Sequence, residues 1–483
     1  MNMLTLPSKN CLILLVNPAY LDKVYGTRGA PTLKPPLGLS YVAATLEQSG
    51  FKTEILDANA EFLSPEETAE RIINSQAKYI GFTSVTSTIP LVCKVSSLVR
   101  ARNGNSVIFV GGPHVTFAAT ETLKDCQAID IVVRGEGERT ASELVKKMEA
   151  GEDIAGIKGI TFRKGGQIAE NPDRELIEDI DDIPLPARHL LPIYLYSPSA
   201  LDNLGFKGSK YATIITARGC PNKCVFCSSA AFWKRIRART PENVVDELAK
   251  LVERYGVKHV EFLDDTLILS KERMERICHL ILERNLHIKW SCYARINHVT
   301  AELVSLMKKS GCKFIQFGVE SGNQEILDRV QKNITLEQVR IAAKIVRRAG
   351  IKLMCFFMIG LPGDTEETVR QTIEFAKELK PNFALFCITT PFPGTNLYEE
   401  LRKTGQLKEG YIWQNIQPHE KTDFYTSTLS SKDLVRLYFK AHHRFYYRFG
   451  FFWQTLIWIL RYPAELKNYF LLVKTQIVRE LRK

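Results

Sequence analysis

Ala217-Arg218-Gly219-Cys220-Pro221-Asn222-Lys223-Cys224-Val225-Phe226-Cys227-Ser228 is the stretch that decides how this 483-residue chain is read. Its three cysteines are separated by three and then two residues, in a short loop that follows an apolar run at 211–216 with the pattern of a buried strand. Thiolates at this spacing can converge on one face of an iron–sulfur cluster. A structural zinc site takes four protein ligands, and no fourth Cys or His lies near enough to pair with this loop. A four-iron cluster held by three cysteines leaves one iron open, and a small molecule can ligate there. An incomplete zinc knuckle, or three cysteines together by chance, is the competing reading.

The length leaves room for about three domains with ample core. The other eight cysteines (Cys11, Cys93, Cys126, Cys278, Cys292, Cys312, Cys355, Cys387) are scattered singly through apolar runs. They read as small buried hydrophobes in a reducing compartment, not as a disulfide framework. The apolar run at 11–16 is short and leads into Asn17-Pro18 without a small-residue cleavage site, so no signal peptide is expected there. No stretch reaches the roughly 18 apolar residues that span a bilayer.

The net charge of +12 is unevenly placed. Residues 431–483 hold eleven Lys/Arg against three Asp/Glu, a surplus of eight, interleaved with aromatics from Tyr438 to Trp458. The stretch 449–460 is too short to span a membrane, but its composition suits an interface with cations at the headgroups. Two readings stand for this tail, a helical pair packed on the preceding domain and a membrane-surface dock. Nucleic acid is not the expected partner.

The first 195 residues or so alternate strand and helix. Strands are expected at 12–17, 53–57, 79–84, 107–111 and 129–134, with helices at 38–50 and 64–76. Ser64 is a plausible N-cap with Pro65 at the first helical position. Short β-branched strands between amphipathic helices predict an α/β fold with an open, doubly wound parallel sheet. Ligands of such sheets lie across the carboxyl ends of the strands. The loops there are 57–59, 84–88 with Ser84, Thr86 and Thr88, 111–114 with Gly111, Gly112 and His114, and 135–138 with Gly135 and Glu136. A proline-punctuated acidic linker follows at 171–204. From 205 to 410 the alternation resumes, with strands at 211–216, 260–263, 289–295, 314–319, 352–359 and 384–389.

The cysteine loop, with aromatic Phe226 before its last cysteine, resembles that of the radical S-adenosylmethionine (SAM) enzymes. The resemblance implies a [4Fe-4S] cluster on Cys220, Cys224 and Cys227. The open iron would be chelated by SAM, whose reductive cleavage gives a 5′-deoxyadenosyl radical. It also implies that the six strand–helix units form the family's partial (β/α)6 barrel, with polar residues gathered at one mouth. Carried over position by position, Asp264 and Asp265 are candidates for the SAM amine. Arg295 resembles the position for its carboxylate or ribose, and Glu320 and Ser321 the position that contacts ribose or methionine. The turn beginning at Gly360 would admit adenine.

The loops of the first domain resemble the cobalamin-binding domain that precedes the barrel in one class of these enzymes. That class is implied to contain residues 1–170 as the cobalamin domain and 411–483 as a helical C-terminal region. Ser84, Thr86, Gly111, Gly112, Gly135 and Glu136 are the candidate cobalamin contacts. The family's mutases carry a cobalt-ligating histidine in an Asp-x-His-x-x-Gly loop, and Asn59 is read as standing in its place here. The resemblance implies methyl transfer to an unactivated carbon of a small hydrophobic, lipid- or isoprenoid-like substrate. Oxidative cyclisation of a tetrapyrrole-like substrate is the alternative, and a non-catalytic cobalamin or redox sensor the distant one. A flavodoxin- or ferredoxin-like electron donor is expected. The expected location is cytoplasmic, with peripheral contact at the inner face of the membrane.

Overall fold

The computed structural model describes residues 11–19, 33–197 except 103, 210–407, 426 and 428–448. The first sheet comprises β1 (Leu12–Asn17), β2 (Lys52–Asp57), β3 (Tyr79–Thr83), β4 (Val107–Gly111), β5 (Ile131–Val133), β6 (Ile160–Lys164) and β7 (Gln167–Glu170). Its order is β2-β1-β3-β4-β5-β6-β7, parallel through β5. Helices α1 (Leu37–Gln48), α2 (Pro65–Ser75), α3 (Ile89–Arg102), α4 (Pro113–Phe117), α5 (Ala119–Asp125) and α6 (Gly137–Glu149) connect the strands. One core cluster gathers residues of α1 and α6, and the other residues of α2, α3 and α5, so the sheet is covered on both faces. The expected doubly wound sheet is what forms.

Local signals set the helix ends. The Ser64 side chain accepts from Glu67 N–H while the Glu67 carboxylate accepts from Ser64 N–H, closing a capping box ahead of Pro65. Such a cap stabilises a helix by about 1 kcal/mol. The β6–β7 hairpin was not anticipated. It pairs antiparallel across Gly165-Gly166, both at positive φ, and extends the sheet past β5.

The second sheet has the order β15-β14-β13-β12-β11-β8, every pair parallel. Its strands are β8 (Tyr211–Ile214), β11 (His259–Phe262), β12 (Lys289–Ala294), β13 (Cys312–Glu320), β14 (Lys352–Ile359) and β15 (Phe383–Ile388). Between β8 and β11 lie the short pair β9 (Ala217–Arg218) and β10 (Arg237–Ala238), which flank α7 (Ser229–Trp233). The outer layer is α8 (Pro241–Tyr255), α9 (Lys271–Glu283), α10 (Ala301–Lys309), α11 (Gln324–Arg329), α12 (Leu336–Arg348), α13 (Glu366–Leu379) and α14 (Asn396–Lys403). This is the partial barrel, with β8 and β15 as its edge strands among the described residues.

The segment joining the sheets is not a slack tether. Buried Arg188 donates through Nη2 to the Thr213 carbonyl and to Glu247 Oε1, both at 2.7 Å. Lys34 reaches across to Glu261 at 2.7 Å.

Helix α15 (Ser431–Tyr446) buries Leu434, Leu437, Tyr438, Ala441 and Phe445 in the barrel core. Tyr446 Oη donates to the Ala384 carbonyl at 2.7 Å, satisfying a buried backbone group of the edge strand β15. For residues 431–446, then, packing on the barrel describes the tail. The remaining aromatic stretch at 449–460 lies outside the described residues. Among the described residues no helix is long and apolar enough to cross a membrane.

Candidate active site

The cysteine loop is an excursion clasped at its base by the antiparallel β9–β10 pair. Gly219 sits at φ +97°, and a Cβ there would lie 2.8 Å from the Arg235 carbonyl oxygen, so the turn into Cys220 needs glycine. The middle of the loop is pinned from two sides. Val225 N–H donates to Val330 O at 3.2 Å, and Leu397 N–H donates to Val225 O at 2.9 Å. Phe226 packs beside Ile326, Val330, Leu361 and Met358.

The thiols sense one another. Desolvation raises the Cys224 thiol, against the pull of the Lys332 and Arg295 cations. Desolvation, together with the charges of Asp265, Cys224 and Cys220, pushes Cys227 up to about 11. Two thiols held protonated by burial beside a third cysteine are a donor set that a cationic metal assembly would relieve. Among the described residues no three His, Cys, Asp or Glu side chains close on a single ion.

Two strand-end groups, Glu320 and Arg295, and Lys332 of the loop between α11 and α12 converge beside Cys224. Lys332 Nζ lies 2.7 Å from Glu320 Oε1 and 5.9 Å from the Phe226 ring centroid. Arg295 Nη2 donates to the Lys332 carbonyl at 2.7 Å. Glu320 takes φ +72°, uncommon for a residue with a Cβ, directly after a register shift in the β13–β14 ladder. Asp265 is exposed and accepts a 2.6 Å hydrogen bond from Ser229, next to Cys227.

The other expected SAM residues have different partners. Asp264 is buried, with Oδ1 accepting from Thr216 N–H at 2.8 Å and from the Thr216 hydroxyl at 3.0 Å. Desolvation raises its carboxyl to about 6 despite nearby Arg273. Ser321 is buried against Thr372 at 3.2 Å and accepts from Asn323 N–H. Gly360, at φ +86°, faces Leu434 of α15, and its N–H donates to Asp364.

At the carboxyl edge of the first sheet lies a cavity of about 250 Å³, open at its mouth. Gly81 and Phe82 of β3, Gly111 at the end of β4 and Gly112 after it, Gly135 and Glu136 after β5, and Tyr41 of α1 line it. The barrel domain supplies Ile215, Arg218, Phe232 and Trp233. A Cβ on Gly81 would meet Phe109 at 2.5 Å and Leu15 at 2.7 Å, and one on Gly112 would meet the Ser84 carbonyl at 2.4 Å. Those two glycines are therefore fixed by the protein's own packing, whereas a Cβ on Gly38 or Gly135, also in the cavity wall, would meet nothing within 4 Å, and bare backbone beside open space fits the close approach of a corrinoid tail.

The hydroxyls serve the loops themselves. Ser84 Oγ donates to the Gly111 carbonyl at 3.1 Å, and Thr86 Oγ1 meets His114 Nδ1 at 3.2 Å. Burial lowers His114 to about 4, which keeps it neutral, and it does not line the cavity. The Asn59 loop does not line it either. It follows the edge strand β2 and is closed by Asp57, which accepts from Asn17, Ala60 and Tyr196. The expectation that Asn59 occupies the place of a cobalt ligand therefore receives no support from its position.

Glu136 lines the cavity but is bound on the protein side. Both its oxygens accept from Arg237 Nη1, at 2.9 and 2.7 Å, Oε1 also from Arg218, and Oε2 from Ile177 N–H at 2.8 Å. Desolvation pushes its carboxyl up, yet the two guanidiniums bring it below the usual range. Arg218 bonds Glu138 as well and lies over the rings of Trp233 at 5.3 Å and Tyr41 at 5.8 Å. Arg218, Arg237, Trp233, Gly81 and Lys332 were not anticipated. Arg218 and Trp233 flank the cysteine motif, but the carboxylate partners of Arg218 come from another domain.

The description "Radical SAM superfamily" matches residues 214–376, and "B12 binding domain" matches residues 29–145. The chain is 37% identical to an uncharacterized methyltransferase of Pyrococcus horikoshii over 90% of its own length and 92% of that protein's. It is 30% identical to the anaerobic magnesium-protoporphyrin IX monomethyl ester cyclase of Cereibacter sphaeroides, over 83% of this chain and 64% of that one. Among solved structures it resembles the radical SAM methyltransferase TsrM from Kitasatospora setae, determined with cobalamin and a [4Fe-4S] cluster bound. That likeness has a TM-score of 0.67 at 20% identity, covering 82% of this chain and 75% of that one.

Proposed function

We infer a reaction for a chain that belongs to the radical SAM enzymes with a B12-binding domain and works with a [4Fe-4S] cluster, SAM and cobalamin. The reaction we propose is methyl transfer to an unactivated carbon of a hydrophobic, lipid- or isoprenoid-like small molecule. One observation carries it: Arg218 and Trp233, on either side of the cysteine loop, also wall the cavity of the first domain, which supports a cluster and a corrinoid held side by side. When bound, the cluster with SAM supplies hydrogen-atom abstraction, and cobalamin supplies the methyl group.

The chain's own residues bind and orient. We assign Cys220, Cys224 and Cys227 as cluster ligands, Asp265 to the SAM amine, and Arg295 and Glu320 to its polar groups. A carboxylate accepts from an ammonium, and a guanidinium forks onto a carboxylate. Inside the barrel, Tyr293, Phe356, Met358, Leu385 and Cys387 stay partly open, at positions that alternate with the helix-packed core. Tyr293 and Phe356 stack at 6.1 Å. Such a wall suits an apolar substrate and excludes water from a radical. The basic, aromatic tail supports docking on an anionic membrane surface, where a lipid substrate would be met. A flavodoxin- or ferredoxin-like protein is the proposed electron donor, and the cytoplasm the proposed location.

The test is anaerobic turnover of the reconstituted enzyme with methyl-deuterated SAM and a total lipid extract. Label in a lipid, with both S-adenosylhomocysteine and 5′-deoxyadenosine formed, is the expected result. 5′-Deoxyadenosine alone, without label transfer, would favour an oxidation or cyclisation. Flotation with anionic vesicles should show salt-sensitive binding of the full chain. No binding would leave the tail as a packing element.

A further inference from the structure

The cysteine loop and the first-domain cavity are built from one continuous piece of chain. Arg218 lies two residues before Cys220, and Trp233 six residues after Cys227. Both line the cavity, together with Tyr41, Glu136 and Glu138 from the other domain. We propose that assembling the cluster on Cys220, Cys224 and Cys227 sets Arg218 and Trp233 as the roof of this cavity, so that cluster and corrinoid each strengthen retention of the other. The proposal rests on the cysteine and cavity assignments above, but not on methyl transfer.

Three features make the loop a transmitter. First, the Arg218–Cys220 connection is stiff. Arg218 is hydrogen-bonded in β9, its guanidinium is divided between Glu136 and Glu138, and Gly219 packs against the Arg235 carbonyl. A shift of Cys220 therefore moves Arg218. Second, the helix that carries Phe232 and Trp233 cannot stand alone. It has five residues and no side-chain hydrogen bond at its N-cap, and isolated turns of that length do not persist in water. Third, beside the Lys234–Asp173 ion pair at its C-terminus, that helix is held from both sites. On one side is the loop ending at Cys227, with Ser229 bound to Asp265. On the other are aromatic contacts at the cavity, Phe117–Phe232 at 6.2 Å and Arg218 over Trp233 at 5.3 Å. A helix with two supports and little stability of its own couples them, and such coupling is reciprocal.

The experiment titrates hydroxocobalamin into full-length protein under anaerobic conditions. The forms compared are cluster-loaded wild type, wild type stripped with a chelator, and Cys220→Ser/Cys224→Ser/Cys227→Ser. Both cluster-free forms should bind about tenfold more weakly, within the usual span of coupling between sites. Trp233→Leu should weaken the loaded protein by a similar factor but add little in the cluster-free background. Arg218→Lys, which keeps the charge but not the fork onto two carboxylates, should keep part of the effect, and Arg218→Leu none. In return, hydroxocobalamin should slow iron loss to chelator in wild type but not in Trp233→Leu. Equal affinities with and without cluster, or additive penalties, would overturn the coupling alone. A triple variant that keeps its iron, or loaded wild type that binds no hydroxocobalamin, would overturn the underlying assignments and the coupling with them. The stripped wild type carries no substitution, so the comparison survives a variant that fails to fold.

Discussion

Replacing Glu136 by Gln should loosen the joint between the two domains far more than a surface charge change would. The side chain is 5% exposed in its ion pairs and accepts hydrogen bonds from Arg237, Arg218 and Ile177 N–H. Glu136→Gln keeps the volume and removes the charge. Arg218 would retain Glu138, but Arg237, whose Nε and Nη2 already lack hydrogen-bond partners, would become an uncompensated buried cation. Removing one partner of a buried pair costs about 3–5 kcal/mol. In urea unfolding of the apoprotein, a loss of that size lowers the midpoint by on the order of 1 M. Adding Arg237→Met to Glu136→Gln should recover part of the loss, because the stranded charge goes with it. The linkage sign follows from the lowered Glu136 carboxyl. Its stabilisation is present above the unfolded-state value and fades as pH falls through the folded one, so wild type should lose stability in acid and Glu136→Gln should lack that component. A midpoint within about 0.2 M of wild type would refute the reasoning, as would a double variant weaker than the sum of the single ones.

Changing Cys220, Cys224 or Cys227 to Ala should abolish iron–sulfur absorbance and 5′-deoxyadenosine formation, and retained SAM cleavage would end the ligand assignment. Gly81→Val should block hydroxocobalamin binding at a folding cost of about 1–3 kcal/mol, because its first added carbon already meets Phe109 at 2.5 Å. Thermal midpoints and a titration separate the two effects. Asp264, raised to about 6, disfavours the native state as pH rises from its unfolded value through 6. Asp264→Asn should therefore stabilise the protein more at pH ~7.5 than at pH ~5, and equal midpoint shifts at both would contradict the buried-carboxylate account.

Much of the architecture was legible because it is written in short-range signals. The Ser64-Pro65 start, the alternation of β-branched strands with amphipathic helices, and the cysteine spacing all act within a few residues. One local signal was passed over: Gly165-Gly166 between two short runs marks the β6–β7 hairpin. The sequence by itself determined the fold class and the loop that carries the cysteines, since each follows from near-neighbour chemistry, while SAM and cobalamin followed from the family that these motifs resemble. Only the tertiary structure decided which of two adjacent aspartates is buried against Thr216 and which lies beside Cys227. It alone showed α15 covering the barrel rim, and Lys332 beside Glu320 and Phe226. The pairing of Arg218 with Glu136 and Glu138 joins residues about eighty positions apart on different domains. No periodicity or spacing encodes such a contact; it exists because docking removes both charges from water and leaves each the other as its counter-ion.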